Sequence, residues 1–199
     1  MQTSIVLIVI VLILVIICAS PFISEGEPYD VRFYSRTNTP DVMKLMRGGY
    51  AQSGGLCIGQ YTNSNGQQLT LQDGNCDVFL SGIDKDGKLV LTNDELVSRV
   101  KPNHSISAYD NAKSDGQPLE YTNKWRGQKF SFDEKGKILT PDGQWYQGRY
   151  GTLRHVASGK CLHPEGGTAN RNGQRLVVWG DCSPQDRIMW NVYDGVEKL

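Results

Sequence analysis

One phrase occurs three times in this chain and limits what it can fold into. Asn65-Gly66-Gln67-Gln68-Leu69-Thr70-Leu71 is followed by Asp115-Gly116-Gln117-Pro118-Leu119-Glu120-Tyr121, then by Asn172-Gly173-Gln174-Arg175-Leu176-Val177-Val178. The pattern is Asn/Asp-Gly-Gln-x-Leu-x-apolar, and its glycines stand 50 and then 57 residues apart. Units of this length cannot each bury a core, so the three must close on one another.

A second phrase sets the phase of the repeat. Asp84-Lys85-Asp86-Gly87-Lys88-Leu89-Val90-Leu91 matches Asp133-Glu134-Lys135-Gly136-Lys137-Ile138-Leu139, and Asp194-Gly195-Val196 begins a third copy. Each reads as a tight hairpin turn entering a strand. A unit then runs as turn-strand, middle strand, Gly-Gln-x-Leu strand and aromatic strand. The closing aromatics are Phe79, Phe130 with Phe132, and Trp190. Four strands in each of three units predict twelve. The 22 glycines suit such short strands and turns. Asp41–Arg47 has room for one helical turn at most, and no helical period survives between residues 50 and 195.

Four cysteines fall as two pairs, Cys57/Cys76 and Cys161/Cys182, each bracketing one Gly-Gln-x-Leu phrase. Four cysteines allow three pairings. Equivalent positions in two repeats should make equivalent bonds, which selects 57–76 and 161–182. The middle unit has Ile106 and, near the second position, Trp125, an apolar pair in place of a crosslink.

The remaining cysteine, Cys18, lies in an apolar run from Ser4 to Ala19. At about 15 residues the run is short for a membrane span and fits a signal-peptide core. Ser24 and Gly26 offer small residues for cleavage, although Met1-Gln2-Thr3 carries no basic residue. A cleaved signal over residues 1–26 and an uncleaved N-terminal anchor both place the domain outside the reducing cytosol. The expected product is secreted and extracellular, or anchored to a membrane through this segment alone. Residues 27–44 read as a lead-in and 45–199 as the domain. Asn103-His104-Ser105 is an N-glycosylation sequon, with Asn103 the acceptor on the surface of an exported protein.

Lys plus Arg and Asp plus Glu both number 21, so no net field attracts nucleic acid or anionic lipid. Gly55-Leu56-Cys57-Ile58-Gly59 has the spacing of a nucleophile elbow, but that elbow requires a free thiol between a strand and a helix. The segment around Gly87 has the glycine of an EF-hand loop. In that frame Gly82 and Asn93 fall where Asp and Glu are required. The three histidines are scattered without metal-ligand spacing. No catalytic group, metal or cofactor is expected.

Intra-unit cysteines, Asp-Gly turns, Gly-x-x-Leu strands and a closing aromatic together resemble the ricin-B type β-trefoil, the R-type lectin fold, over about residues 45–198. Within the third unit, His155-Val156-Ala157-Ser158-Gly159-Lys160-Cys161-Leu162-His163-Pro164-Glu165-Gly166-Gly167 is similar to the mytilectins, α-galactose-binding β-trefoil lectins. The resemblance implies an all-β fold, a β-trefoil of three four-strand repeats, and a sugar pocket lined by His163, Pro164, Gly166 and Gly167. Asp181 matches the family's later Asp. Trp179 stands where the family has a His, and its second later His falls on Ser183 or Gln185. Gln-x-Trp of ricin-type lectins becomes Ile188-Met189-Trp190 here, with Trp190 expected in the core.

The chemistry suits a hexose, which shows hydroxyls on one side and a C–H face on the other. Asp181 supplies a carboxylate, His163 an imidazole, Trp179 an aromatic plane, and Gly166 with Gly167 allows close backbone approach. His163 and Asp181 are expected to be partly exposed. Gly59 and Ala108 occupy the position of His163 in the first two units, so one main site is expected. The resulting expectation is an extracellular lectin for glycans or glycoproteins, galactose-type by the resemblance. The other reading is an extracellular trefoil module that binds proteins and no sugar.

Overall fold

The computed structural model describes residues 29–36, 55–60, 68–73, 76–99, 104–123, 127–139 and 147–193. The leader, Asp41–Arg47, Asn103, Trp125 and Asp194–Val196 lie outside these residues. The described chain is all-β, joined by turns and short 3-10 segments, without an α-helix.

The strands in chain order are β1 (Tyr29–Val31), β2 (Tyr34–Ser35), β3 (Leu56–Gln60), β4 (Leu69–Asp73), β5 (Phe79–Ile83), β6 (Leu89–Leu91), β7 (His104–Ala108), β8 (Gln117–Asn123), β9 (Phe130–Leu139), β10 (Gln147–His155), β11 (Cys161–Pro164), β12 (Leu176–Trp179) and β13 (Trp190–Tyr193). A ten-stranded sheet runs β4-β3-β2-β13-β10-β11-β12-β8-β7, with β9 paired to β10. Its β4 end returns toward the opposite end of the sheet, to β8 and the residue before β12, through bridges Gln68↔Glu120 and Thr70↔Arg175. The sheet is therefore a nearly closed, barrel-like surface, which leaves few unpaired strand edges. A second sheet, β1-β5-β6, lies beside it.

The leucines of the repeated phrase, Leu69, Leu119 and Leu176, are all fully buried. So are Phe79, Phe130 and, at 1% exposure, Trp190. The repeat is thus a core pattern: each unit contributes the same inward positions. Residues 29–36 do more than lead in. Tyr34 of β2 pairs with Cys57 of β3 and Asn191 of β13, and Phe33 packs between Phe79 and Phe132, with centroids 5.8 Å away in each case.

Of the three proposed hairpin turns, two fall within the described residues, and one of those forms. Asp84 to Lys88 joins β5 to β6, with the Asp84 carboxylate accepting from the amides of Asp86 and Lys88 and Gly87 at φ +73°. The matching phrase at Asp133–Lys137 does not turn. It lies inside the ten-residue β9, where Gly136 pairs with Tyr150, Glu134 pairs with Gly151, and Lys135 is the extra residue of a bulge. A Cβ on Gly151 would stand 2.3 Å from the Asp133 carbonyl oxygen, so close strand approach uses that glycine. Long pairing with β10 overrides the local turn signal.

Strand register also corrects the alignment of the middle unit. Gly59 faces Thr70, Ser107 faces Glu120 and His163 faces Val177, each one residue past the buried leucine. Ser107, rather than Ala108, therefore stands at the position of His163, and Ser105, rather than Ile106, at that of the first cysteine. Ile58, Ile106 and Leu162 are the true equivalents, all fully buried. A slip of one residue would turn Ile106 out of the core, which fixes the register. Both expected disulfides are present, Cys57–Cys76 and Cys161–Cys182, each with Cα atoms 5.4 Å apart.

Candidate functional site

A cleft of ≈ 350 Å³ opens at the end of the β11–β12 hairpin. Its walls include His163, Pro164, Gly166, Gly167, Trp179 and Asp181. Six of the seven residues expected to face a sugar thus lie around one space. Gln185 does not line it; it is exposed, and its carbonyl receives the Ile188 amide in the 3-10 turn Asp186–Ile188. Ser183, the other candidate for that position, is exposed and gives its amide to the Asp181 carboxylate at 2.9 Å.

The loop after β11 is held in shape from behind. Gly166 and Gly167 have φ of +83° and +86°, which L-residues with side chains rarely adopt. The Gly167 amide closes a turn onto the Pro164 carbonyl at 2.8 Å. Gln174 is buried; its amide donates to the carbonyls of Glu165 and Thr168 and accepts from the Asn170 amide. The Gln of the repeated phrase is therefore the internal brace of the Pro-Glu-Gly-Gly loop. Glu165 and Arg175 clamp the rim with two hydrogen bonds, and the Arg175 guanidinium holds the Glu165 carboxyl below its ordinary value.

His163 is 6% exposed, not partly exposed as expected. Its Nε2 donates to the Asp181 carbonyl at 2.6 Å. A carbonyl can only accept, so this bond assigns the Nε2–H tautomer and leaves Nδ1 as an acceptor in the neutral ring. Burial holds the imidazole below its ordinary value, against the pull of the Asp181 carbonyl and carboxylate. Asp181 is half-buried, with Oδ2 3.8 Å from Arg187 Nη2. The Ser183 amide chiefly holds its carboxyl below the usual value. The 161–182 disulfide ties the segment carrying Asp181 to β11.

Trp179 ends β12 and is 46% exposed, an aromatic face open to the cleft. Four further lining residues were not expected from the sequence: Gly116, Glu165, Val177 and Arg187. Gly116 belongs to the middle repeat, and only tertiary pairing brings it here. A smaller cleft of ≈ 260 Å³ occupies the same place on the β7–β8 hairpin. There Asp110 and Asn111, at φ +46° and +55°, replace Gly166 and Gly167, and Thr122 replaces Trp179. The Ser107 hydroxyl is bonded to Thr122 at 2.9 Å, and the described residues lining this cleft include no imidazole and no indole.

Among the described residues no cluster of His, Cys, Asp and Glu could hold a metal ion. The arrangement offers hydrogen-bond acceptors, a donor and an aromatic plane around a small cleft whose lining is mostly apolar. This is the equipment of non-covalent sugar recognition. No curated protein matches the chain. The model of the MytiLec family, an alpha-D-galactose-binding lectin family, matches residues 113–196, which span the Asp115-Gly116 turn and the entire third-repeat cleft.

Proposed function

We propose that this protein is an extracellular lectin that binds galactose-type glycans without chemical transformation, through the cleft of its third repeat. The fold reading that accompanies it is a β-trefoil over residues 45–199, extended by the strands at 29–36, after a removable leader. The observation that carries the function is the convergence of His163, Trp179, Asp181 and the two positive-φ glycines on one cleft. In this reading Trp179 stacks on the sugar's C–H face. Asp181 and the Nδ1 of His163 accept hydroxyl hydrogens, and the glycines admit the ring. Two disulfides suit an oxidising compartment. Partners are glycans or glycoproteins, and neither catalysis nor a cofactor is invoked.

The test is a titration of the mature domain with methyl α-galactoside beside a glycan array. Binding lost on Asp181→Asn and weakened on Trp179→Ala, with melting unchanged, supports the reading. A wild-type domain that takes up no glycan overturns it and leaves the protein-interaction module. With one site per chain, monosaccharide affinity should be on the order of mM, about −4 kcal/mol. Crosslinking of cells then requires an oligomer.

A further inference from the structure

The repeated Asx-Gly-Gln phrase makes the same inter-repeat contact twice among the described residues. In the third repeat, Gly173 donates to the Leu71 carbonyl at 2.8 Å, and the Asn172 side chain accepts from the Asp73 amide at 3.3 Å. In the middle repeat, Gly116 donates to the Val178 carbonyl at 2.9 Å, and Asp115 Oδ1 accepts from the Gly180 amide at 3.0 Å. Leu71 and Val178 both lie two residues past the buried leucine of their strands, and Asp73 and Gly180 lie four past it. Each turn thus clasps the end of a strand in another repeat.

The clasp on the third repeat has two features the other lacks. It holds the strand end that presents Trp179. A Cβ placed on Gly116 would stand 3.5 Å from Cζ3 of Trp179, so the indole lies against this turn. Asp115 also carries a full charge, which bonds to the Lys160 ammonium; that bond chiefly holds the Asp115 carboxyl below its ordinary value. Lys160 precedes Cys161, the first residue of β11. One carboxylate therefore joins the residue before β11 to the residue after β12, next to the strand position that carries the indole.

We infer that the Asp115-Gly116 turn of the middle repeat is a positioning element for the sugar-facing indole of Trp179. The binding site is then built by two repeats, and Asp115 acts on the ligand only through Trp179. This rests on the lectin reading for the ligand but not for the indole itself, and the experiment separates the two. The Trp179 indole N–H resonance is assigned with Trp179→Phe and followed in Asp115→Ala, Asp115→Asn and Lys160→Met. Methyl α-galactoside is titrated into each variant, into Trp179→Ala, and into the Asp115→Ala/Trp179→Ala double variant.

Asp115→Ala should shift or broaden the indole resonance and weaken binding about fivefold to tenfold, the scale of one loosened aromatic contact. Asp115→Asn keeps an oxygen for the Gly180 amide but loses the charge pairing with Lys160, and Lys160→Met loses that pairing alone; each should move the indole resonance and weaken binding in the same direction as Asp115→Ala, by less. In the Trp179→Ala background, Asp115→Ala should have no further effect, because the two residues act in series. An unmoved indole resonance in Asp115→Ala overturns the inference, whether or not sugar binds. So does an additive double variant. A moved resonance in a protein that takes up no galactoside supports the positioning role and overturns the galactose reading instead.

Discussion

The Nε2 of His163 donates to the main-chain carbonyl of Asp181 at 2.6 Å, across the β11–β12 hairpin. This bond makes His163 both a part of the cleft and a structural member. It fixes the ring's tautomer, and it holds the Asp181 segment beside the ring. The 161–182 disulfide acts on the same segment from the next residue.

His163→Ala should therefore do more than remove a ligand contact. It leaves the Asp181 carbonyl without its partner and opens space in a buried position. The expected loss is about 1–3 kcal/mol of stability, together with loss of glycan binding. Melting curves and galactoside titrations on the same preparations check both. A variant that melts within a degree of wild type would show that water replaces the imidazole.

Removing the second crosslink, with Cys161→Ser and Cys182→Ser together, should cost about 3 kcal/mol, the scale for a loop near 20 residues. Binding should fall further than stability alone explains, because Asp181 loses its anchor. Peptide mapping without reductant should recover 57 joined to 76 and 161 joined to 182. Denaturant unfolding of the double variant measures the energy.

Trp190→Ala should unfold the domain or nearly so. The side chain is 1% exposed, and truncating a core aromatic costs roughly 3–5 kcal/mol. Circular dichroism and a melting curve decide this. Trp179→Ala, at an exposed position, should leave the melt unchanged.

Acid should weaken the fold in a window set by two histidines. Burial depresses both His155 and His163 in the folded state. The unfolded chain therefore takes up their protons first as pH falls. Stability is fully present above the unfolded value, about 6.5, and is lost progressively below it. Melting temperatures taken from pH 8 down to pH 5 should decline below that point. The decline should be shallower in His163→Gln, which cannot charge.

The periodic phrases made much of this legible without a structure. The leucines at 69, 119 and 176 mark inward strand positions because a half-buried strand alternates with period two. The repeat also chose the disulfide pairing from three options. His163, Pro164, Gly166, Gly167, Trp179 and Asp181 were readable as one group through the resemblance to the mytilectins. They share a hairpin and the segment leaving it, which brings them close in space.

What the sequence could not decide came from contacts between distant segments. The Asp133–Lys137 phrase carries turn residues, yet pairing with β10 over nine positions draws it straight; local preference is worth less than a long ladder of hydrogen bonds and packing. The middle unit's register depends on Ile106 facing the core, which a motif without a cysteine cannot show. The burial of His163 depends on the Asp181 carbonyl folding back over it. Gly116 reaches the cleft only because the strands of two repeats pair, β8 beside β12. The amino-acid sequence by itself determined that the repeated leucines and closing aromatics face inward and which cysteines join. The tertiary structure decided which turns form, which register holds and which repeat completes the site, because those outcomes depend on hydrogen bonds and burial between segments far apart in the chain.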